Sequence, residues 1–453
     1  MKHNSNSQLD SEIQDLIQNH PEIDEFEVLA VDLSGHFFGK RYPLAKLNAF
    51  ARDGLAFPMS TIALSTLGEP LEGIYYGDGD GDPDAHFYLI PGSLSLNNWG
   101  SKARAQVMAT SYNGEEPTFF EPRNLLNKVL QAYHDKNWYP TVAFELEFFL
   151  FARERNDQDL IQTVRNPKTG RLDHPTILSP TRISDFEQVI DDIVGACKQQ
   201  NIETGAISSE MGAGQFEINF NHHSDVLRAA DETCLFKRIV IEIAKKHGMM
   251  ASFMAKPMLD QPGNGLHMHI SVVDDKGKNI FDAGDKPDQL LLQSIGGLLE
   301  TMPAAMAFWA PNINSYRRYS GGVDCVPVSQ SWGHENRSVA FRIPLAKAGA
   351  WRVENRVPGA DANPYLAMAA TLAGMLHGMK HDIDPGNPCE TSVEVRDKNL
   401  PLSLRLALAI TIESDALIEI LGSEFVELYC QHRELETEAF AKFISPREYD
   451  WYL

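Results

Sequence analysis

At 453 residues, with 43% hydrophobic and 23% charged side chains, the chain is long enough for more than one hydrophobic core and shows no long disordered block. Acidic side chains outnumber basic ones, 62 to 40, and a formal charge of -22 repels phosphate backbones and anionic lipid heads, so neither nucleic acid nor a membrane surface is an expected partner. The longest apolar stretches, around Phe148 and Met368, stop short of the roughly 20 residues that cross hydrocarbon. The start, Met1-Lys2-His3-Asn4-Ser5, lacks the apolar run of a secretory signal. Cys197, Cys234, Cys325, Cys389 and Cys430 are widely spaced with no CxxC pair, so the expected setting is the reducing cytoplasm.

Along the chain, an acidic helix-like segment from Ser7 to Asn19 comes first. The stretch EFEVLAVDLSGHFFGKR, Glu25 to Arg41, alternates apolar and polar side chains and turns at Ser34-Gly35, which predicts a hairpin opening a small sheet. The acidic run Asp78 to Asp84 imitates an EF-hand loop, but Leu89 stands where a bidentate Glu is required, so a solvated turn is expected. Leu125, Val129, Leu130 and Tyr133 carry helical spacing, and a domain boundary is placed near residue 115, dividing the chain into 1–115 and 116–453. The larger part reads as strand TVAFELEFFLF, a polar excursion from Arg153 to His174, and a helix from about Ser184 to Gln200. Strand GQFEINF follows, then a helix from Ala229 to Gly248 and strands Ala251 to Met258 and Gly265 to Val273. Helices from Asp288 to Ala305 and Asn363 to Met379 precede a helical tail from Pro401.

Carboxylates carry the chemical signal. In Phe144-Glu145-Leu146-Glu147-Phe148, strand periodicity sends both glutamates to one face and the apolar residues to the other. Two like charges held side by side cost several kcal/mol unless a cation or proton compensates them. Glu210 and Glu217 bracket MGAGQF, whose glycines allow close backbone approach. A glycine-rich turn then leads His267 and His269 out on one side of a strand, and Glu354 adds a fifth carboxylate. Glutamate oxygens with one imidazole and no thiolate select Mg²⁺ or Mn²⁺, ions that serve phosphates. Arg317, Arg318, Arg337, Arg342, Arg352 and Arg356 cluster in an otherwise acidic chain and offer forks for carboxylate and phosphoryl oxygens. An enzyme that handles phosphate and an anionic substrate follows.

The strings ELEF, GAGQFE, FMAKPM, NGLHMH, NSYRR, ENRSVAFRIP and RVENRVPGADANPYLA resemble, in order, the glutamine synthetase family of the bacterial type I kind, over nearly the whole chain. The resemblance implies an α+β fold: a small β-grasp-like amino-terminal domain and a large catalytic domain of curved antiparallel sheet with outer helices. It further implies two stacked hexameric rings with active sites between subunits. By motif, Glu147, Glu210 and Glu217 match ligands of the metal beside the glutamate carboxylate, and Glu145, His267 and Glu354 those of the metal at the nucleotide phosphates, two or three ions per site. Arg318 and Arg356 match arginines at the substrate carboxylate and phosphoryl group, Arg337 and Arg342 those around the ATP phosphates. Gly263 matches the glycine whose carbonyl meets the substrate ammonium, and His269 and Ser271 fall at nucleotide contacts. The implied reaction phosphorylates the glutamate γ-carboxylate with ATP and passes the γ-glutamyl group to an amine. Alanine at Glu147 or Glu354 is expected to spare the fold and remove metal-dependent ADP release.

Three departures bear on the subtype. Pro58, in Phe57-Pro58-Met59-Ser60, replaces the aspartate that handles ammonium in ammonia-using members, and Asp324 stands for a flap glutamate, as a shortened candidate base. Asp397 to Pro401 lacks the tyrosine that is adenylylated in some bacterial members. A small cation with four N–H donors needs convergent carboxylates, whereas an alkylammonium brings methylenes that gain about 0.8 kcal/mol each on burial. Pro58 and Met59 therefore favour an organic amine. GLAFP, NSYRR and the ending REYDWYL resemble γ-glutamylputrescine synthetases, which points to putrescine or a longer polyamine; the alternatives are an ammonia-using glutamine synthetase and a catalytically silent member.

Overall fold

The computed structural model describes residues 7–319 and 326–453. After the helix Ser7–Asn19, seven strands build the first sheet: β1 (Glu25–Val31), β2 (Phe37–Pro43), β3 (Leu55–Pro58), β4 (Asp84–Leu89), β5 (Ser95–Asn97), β6 (Arg104–Asn113) and β7 (Glu116–Pro117). The order is β2-β1-β6-β4-β3, with β5 and β7 also on β6; the central pair β1/β6 is parallel and the other pairings are antiparallel. The hairpin forms where alternation predicts it. Asp32 ties its turn by accepting from the amides of Ser34 and His36 at 2.9 and 2.8 Å, and Gly35 takes a φ of +85°.

Eight strands build the second sheet: β8 (Trp138–Ala152), β9 (Thr204–Ser209), β10 (Gln215–Phe220), β11 (Met249–Ser252), β12 (Leu266–Asp274), β13 (Trp332–His334), β14 (Phe341–Ile343) and β15 (Val353–Asn355), in the order β13-β14-β15-β12-β8-β10-β9 with β11 beside β8. The strand expected over Ala251 to Met258 ends at Ser252, because the chain then folds back so that the Asn264 amide donates to the Ala255 carbonyl at 3.0 Å. The architecture is the expected α+β pair, with helices covering the larger sheet. The helices Pro122–His134 and Val226–Lys246 pack on β8.

The core is centred on two apolar helices, Gln289–Trp309 and Pro364–Lys380, in close contact. Glycines set their separation: a Cβ on Gly297 would stand 2.2 Å from the Gly374 carbonyl oxygen, and one on Gly378 2.1 Å from that of Gln293. By length and hydropathy Gln289–Trp309 is able to cross a bilayer, but 72% of its apolar window is buried within the protein, as suits a core helix.

Where the first sheet meets the helix Pro122–His134, Glu121 is buried and accepts from Thr110 Oγ1 at 2.7 Å and from the Ser111 amide at 2.9 Å. Burial lifts its carboxyl from 4.5 to about 7 against those hydrogen bonds. A pKa raised on folding adds stability below the unfolded value, and that stability is lost as pH rises through the folded one. Glu121→Gln should therefore flatten the fall in stability between pH about 4.5 and about 7 by about 3 kcal/mol, read from denaturation midpoints across that range.

Candidate active site

Alternation along β8 buries Phe144, Leu146 and Phe148 and leaves Glu145 and Glu147 half-buried on the opposite face. Register brings the rest together: Glu147 lies opposite Glu217 of β10, Glu145 opposite His267 of β12, His269 opposite Glu354 of β15, and Glu354 opposite Arg342 of β14. Directly paired residues share a sheet face, so five strands present one continuous strip of carboxylates, imidazoles and a guanidinium.

Two triads emerge. Glu145, His267 and Glu354 each offer a ligand atom within 4.8 Å of the others, as do Glu147, Glu217 and His267. The first is the predicted phosphate-side set. In the second, His267 takes the place expected of Glu210, which stands at the turn before β10 and is not among those atoms. Glu210 still feels the group: burial first and then the Glu147 charge raise its carboxyl to about 7, against the opposing charge of Arg337. Glu217 is pushed to about 9 by burial and then by Glu147, Glu145 and Glu210. Glu145 goes the other way. Burial opposes its charge, yet hydrogen bonds from His267 and His269 hold it well below the usual carboxylate range. His269 Nε2 donates to Glu145 at 3.0 Å, a tautomer fixed by Arg352 Nε donating to Nδ1 at 3.4 Å.

Crowded, partly buried carboxylates with an imidazole between them form a donor set that a hard divalent ion fits.

The predicted arginines divide into two groups. Arg342 and Arg356 grip Glu354 at 2.7 and 2.5 Å; burial disfavours its charge, but Arg356 first, then the imidazoles and Arg342, hold its carboxyl at about 2. Glu354 is 1% exposed and its removal strands the buried Arg356 guanidinium, contrary to the expectation that alanine there spares the fold. Arg318, 4% exposed, donates to the Val357 carbonyl at 2.7 Å and keeps Nε without a partner among the described residues. Gly263 lies against it: an added Cβ would stand 2.9 Å from Arg318 Cγ and 2.4 Å from the Ala255 carbonyl oxygen. Arg337 and Arg317 are exposed, while half-buried Ser271 follows His269 on the same face of β12. Asp324 lies outside the described residues.

Several further residues support the site. Gln215 Nε2 donates to the Gly263 carbonyl at 2.9 Å and to Asn264 Oδ1 at 3.1 Å, reaches Glu147 Oε2 at 3.4 Å, and its Oε1 accepts from the Gly212 amide. One amide thus fixes the glycine loop against the carboxylates, leaving the Gly263 oxygen a second lone pair. Arg182, 3% exposed, pairs with Asp173 at 2.7 Å and donates to the Glu210 and Gly212 carbonyls at 2.8 and 2.6 Å, which pins the Glu210 turn. Gln215 and Asn264 sit inside legible strings; Arg182 and Asp173 lie beyond them in or after the polar excursion.

In the first sheet, Pro58 ends the edge strand β3 opposite Asp84. Met59 is 3% exposed and packs inside that sheet's core, so it offers no apolar wall to a substrate, contrary to expectation. Asp80 accepts from the amides of Gly77 and Asp82, and Asp82 from that of Ser60 at 3.3 Å; the acidic run is a backbone-capping turn beside the Pro58 loop.

The family model for the glutamine synthetase catalytic domain matches residues 119–452. The chain is 37% identical to gamma-glutamylputrescine synthetase PuuA of Escherichia coli (strain K12) over 450 residues, covering 98% of this chain and 94% of that one. It is 32% identical to a glutamate–isopropylamine ligase of a Pseudomonas species, covering 97% of each, and 30% identical to the glutamine synthetase of Thermococcus kodakarensis, covering 92% and 90%. A GmaS/ADP complex superposes with a TM-score of 0.82 at 25% identity, over 97% of this chain and 99% of that one. With the carboxylate strip, the arginines and the two-sheet fold, these likenesses establish the chain as a type I member of the glutamine synthetase family, allied with its amine-ligating branch, and an ATP-dependent carbon–nitrogen ligase acting on glutamate and an amine.

Proposed function

We propose that the chain joins the γ-carboxylate of glutamate to putrescine or a related polyamine through γ-glutamyl phosphate, giving a γ-glutamylamide, ADP and phosphate. A carboxylate oxygen attacks the γ-phosphorus and ADP leaves; the amine nitrogen then attacks the acyl carbon, loses a proton, and phosphate leaves. Glu145, His267 and Glu354 hold one Mg²⁺ or Mn²⁺ in this reading, and Glu147, Glu217 and Glu210 a second, with His267 between them. Such ions neutralise charge on phosphoryl and carboxylate oxygens. Arg337 and Arg356 neutralise the transferring phosphoryl group, Arg342 orients Glu354 at the ATP phosphates, and the unspent Arg318 Nε and Gly263 carbonyl receive glutamate. His269 and Ser271 border the nucleotide, and Asp324 remains the candidate base.

The observation that carries the amine choice is Pro58 with Asp84 as its cross-strand partner. Pro58 has no side-chain acceptor for ammonium, and exposed Asp84 offers a carboxylate next to it for the distal ammonium of a diamine. Asp80 and Asp82 each commit one oxygen to backbone amides of the turn, which leaves Asp84 as the carboxylate in register with Pro58. The names of two relatives, one a putrescine and one an isopropylamine enzyme, agree with an organic acceptor.

Self-association into stacked hexameric rings, completing each site with a neighbour's Pro58 loop, is part of the reading. Support for it comes from the exposed apolar tail, where Phe443, Trp451 and Tyr452 are 70%, 70% and 78% exposed. A cytoplasmic setting is likewise kept, in line with unpaired Cys197, Cys234, Cys389 and Cys430.

The test is kcat/KM for ammonia, ethylamine, putrescine and spermidine, with Pro58→Asp alongside. Putrescine should lead by at least about 10²-fold over ammonia, and Pro58→Asp should narrow that ratio by about tenfold. A wild-type preference for ammonia would point to an ammonia-using glutamine synthetase.

A further inference from the structure

A second constellation of ligating side chains stands apart from the carboxylate strip, at the carboxyl end of the helix Pro364–Lys380. His377 in its last turn and His381 just beyond it have the i, i+4 spacing that stacks side chains on one face, and their ring centroids are 4.6 Å apart. Glu419, on the helix Asp415–Leu421, closes the group: one ring nitrogen of each histidine and one Glu419 oxygen lie within 4.8 Å of one another.

The hydrogen bonding of His377 gives a second, independent indication. Its Nε2 lies 3.1 Å from Glu300 Oε1, on the helix Gln289–Trp309. A carboxylate only accepts, so Nε2 carries the proton and Nδ1 keeps its lone pair. Nδ1 is buried and has no hydrogen-bond partner among the described residues. Protonating it would bury an unmatched donor instead, so either state leaves the nitrogen unsatisfied. A carboxylate holding the far nitrogen of an imidazole is the arrangement that orients metal-bound histidine. Lys380 pairs with Glu419 and balances its charge. His381 and Glu419, with side chains 47% and 43% exposed, leave an entry path and room for water.

We propose that His377, His381 and Glu419 bind a divalent transition metal of the zinc class, with Glu300 orienting His377, Lys380 released from Glu419, and water completing the shell. Two imidazoles with one carboxylate suit Zn²⁺, Co²⁺, Ni²⁺ or Cu²⁺ better than Mg²⁺, which separates this site chemically from the glutamate-rich one.

Zn²⁺ titration of the full-length protein by calorimetry, in saturating Mg²⁺, compares wild type with His377→Ala/His381→Ala, His381→Ala alone and Glu300→Gln. The double variant should bind one Zn²⁺ fewer per chain. His381→Ala, an exposed change that tests the site without disturbing the core, should weaken that binding at least tenfold, and Glu300→Gln should weaken it by about 10- to 100-fold. ADP release with glutamate and amine should stay at the wild-type level in His381→Ala. Equal Zn²⁺ stoichiometry and affinity in wild type and His381→Ala, or no Zn²⁺ bound by wild type beyond the Mg²⁺-competed sites, would overturn the proposal.

Discussion

Glu147→Ala should cut glutamate- and amine-dependent ADP release by a factor on the order of 10³, because it removes a carboxylate facing Glu217 across the strand pair and a hydrogen-bond acceptor of the glycine loop. The fold should survive. Glu147 is among the charges that push Glu217 and Glu210 upward, so deleting it relieves repulsion in the metal-free protein. Against that relief stands the hydrogen bond from the Gly265 amide at 2.7 Å, a contribution of about 1 kcal/mol. Metal-free stability should stay within about 1 kcal/mol of wild type in urea, while a Mn²⁺ titration of activity stays flat. Wild-type ADP release over that titration would contradict the role.

Glu354→Ala should act on both fold and activity. Here the carboxylate sits between Arg342 and Arg356 at 2.7 and 2.5 Å, and the Arg356 side chain is only 4% exposed. Removing one partner of a buried ion pair costs about 3–5 kcal/mol, since the remaining charge has neither water nor counter-ion. Arg342 retains Glu335 at 3.2 Å, so the penalty falls mainly on Arg356. Glu354→Gln keeps the shape and an acceptor oxygen and should lose less stability but as much activity. A Glu354→Ala protein with a wild-type urea midpoint would show that Arg356 finds another partner. The two glutamates thus differ in setting: Glu147 faces other carboxylates, whereas Glu354 is gripped by guanidinium groups.

Strand periodicity makes the face shared by Glu145 and Glu147 legible in the sequence, because alternation is a local property. Their partners are another matter. That Glu217 meets Glu147 and His267 meets Glu145 depends on register between segments far apart in the chain, which no local pattern encodes. The same limit hid Arg182, whose partners Asp173, Glu210 and Gly212 are joined only by folding. Met59 shows the converse error. An apolar residue beside a functional loop reads as a substrate wall, yet burial in its own core takes it out of reach. His377 and His381 carry no local signal, since i, i+4 histidines gain meaning only when Glu419 and Glu300 arrive from other helices. The long helices and the opening hairpin were legible for the opposite reason, being written in contiguous spacing and turn residues.

The most direct test of glutamate ligation to an organic amine is product identification by mass spectrometry. The full-length protein is supplied with ATP, Mg²⁺, glutamate and an equimolar mixture of putrescine, isopropylamine and ammonia. γ-Glutamylputrescine should be the dominant product, with ADP and phosphate formed in equal amounts to it. Glutamine as the dominant product would contradict the account, as would ADP release without any γ-glutamylamide.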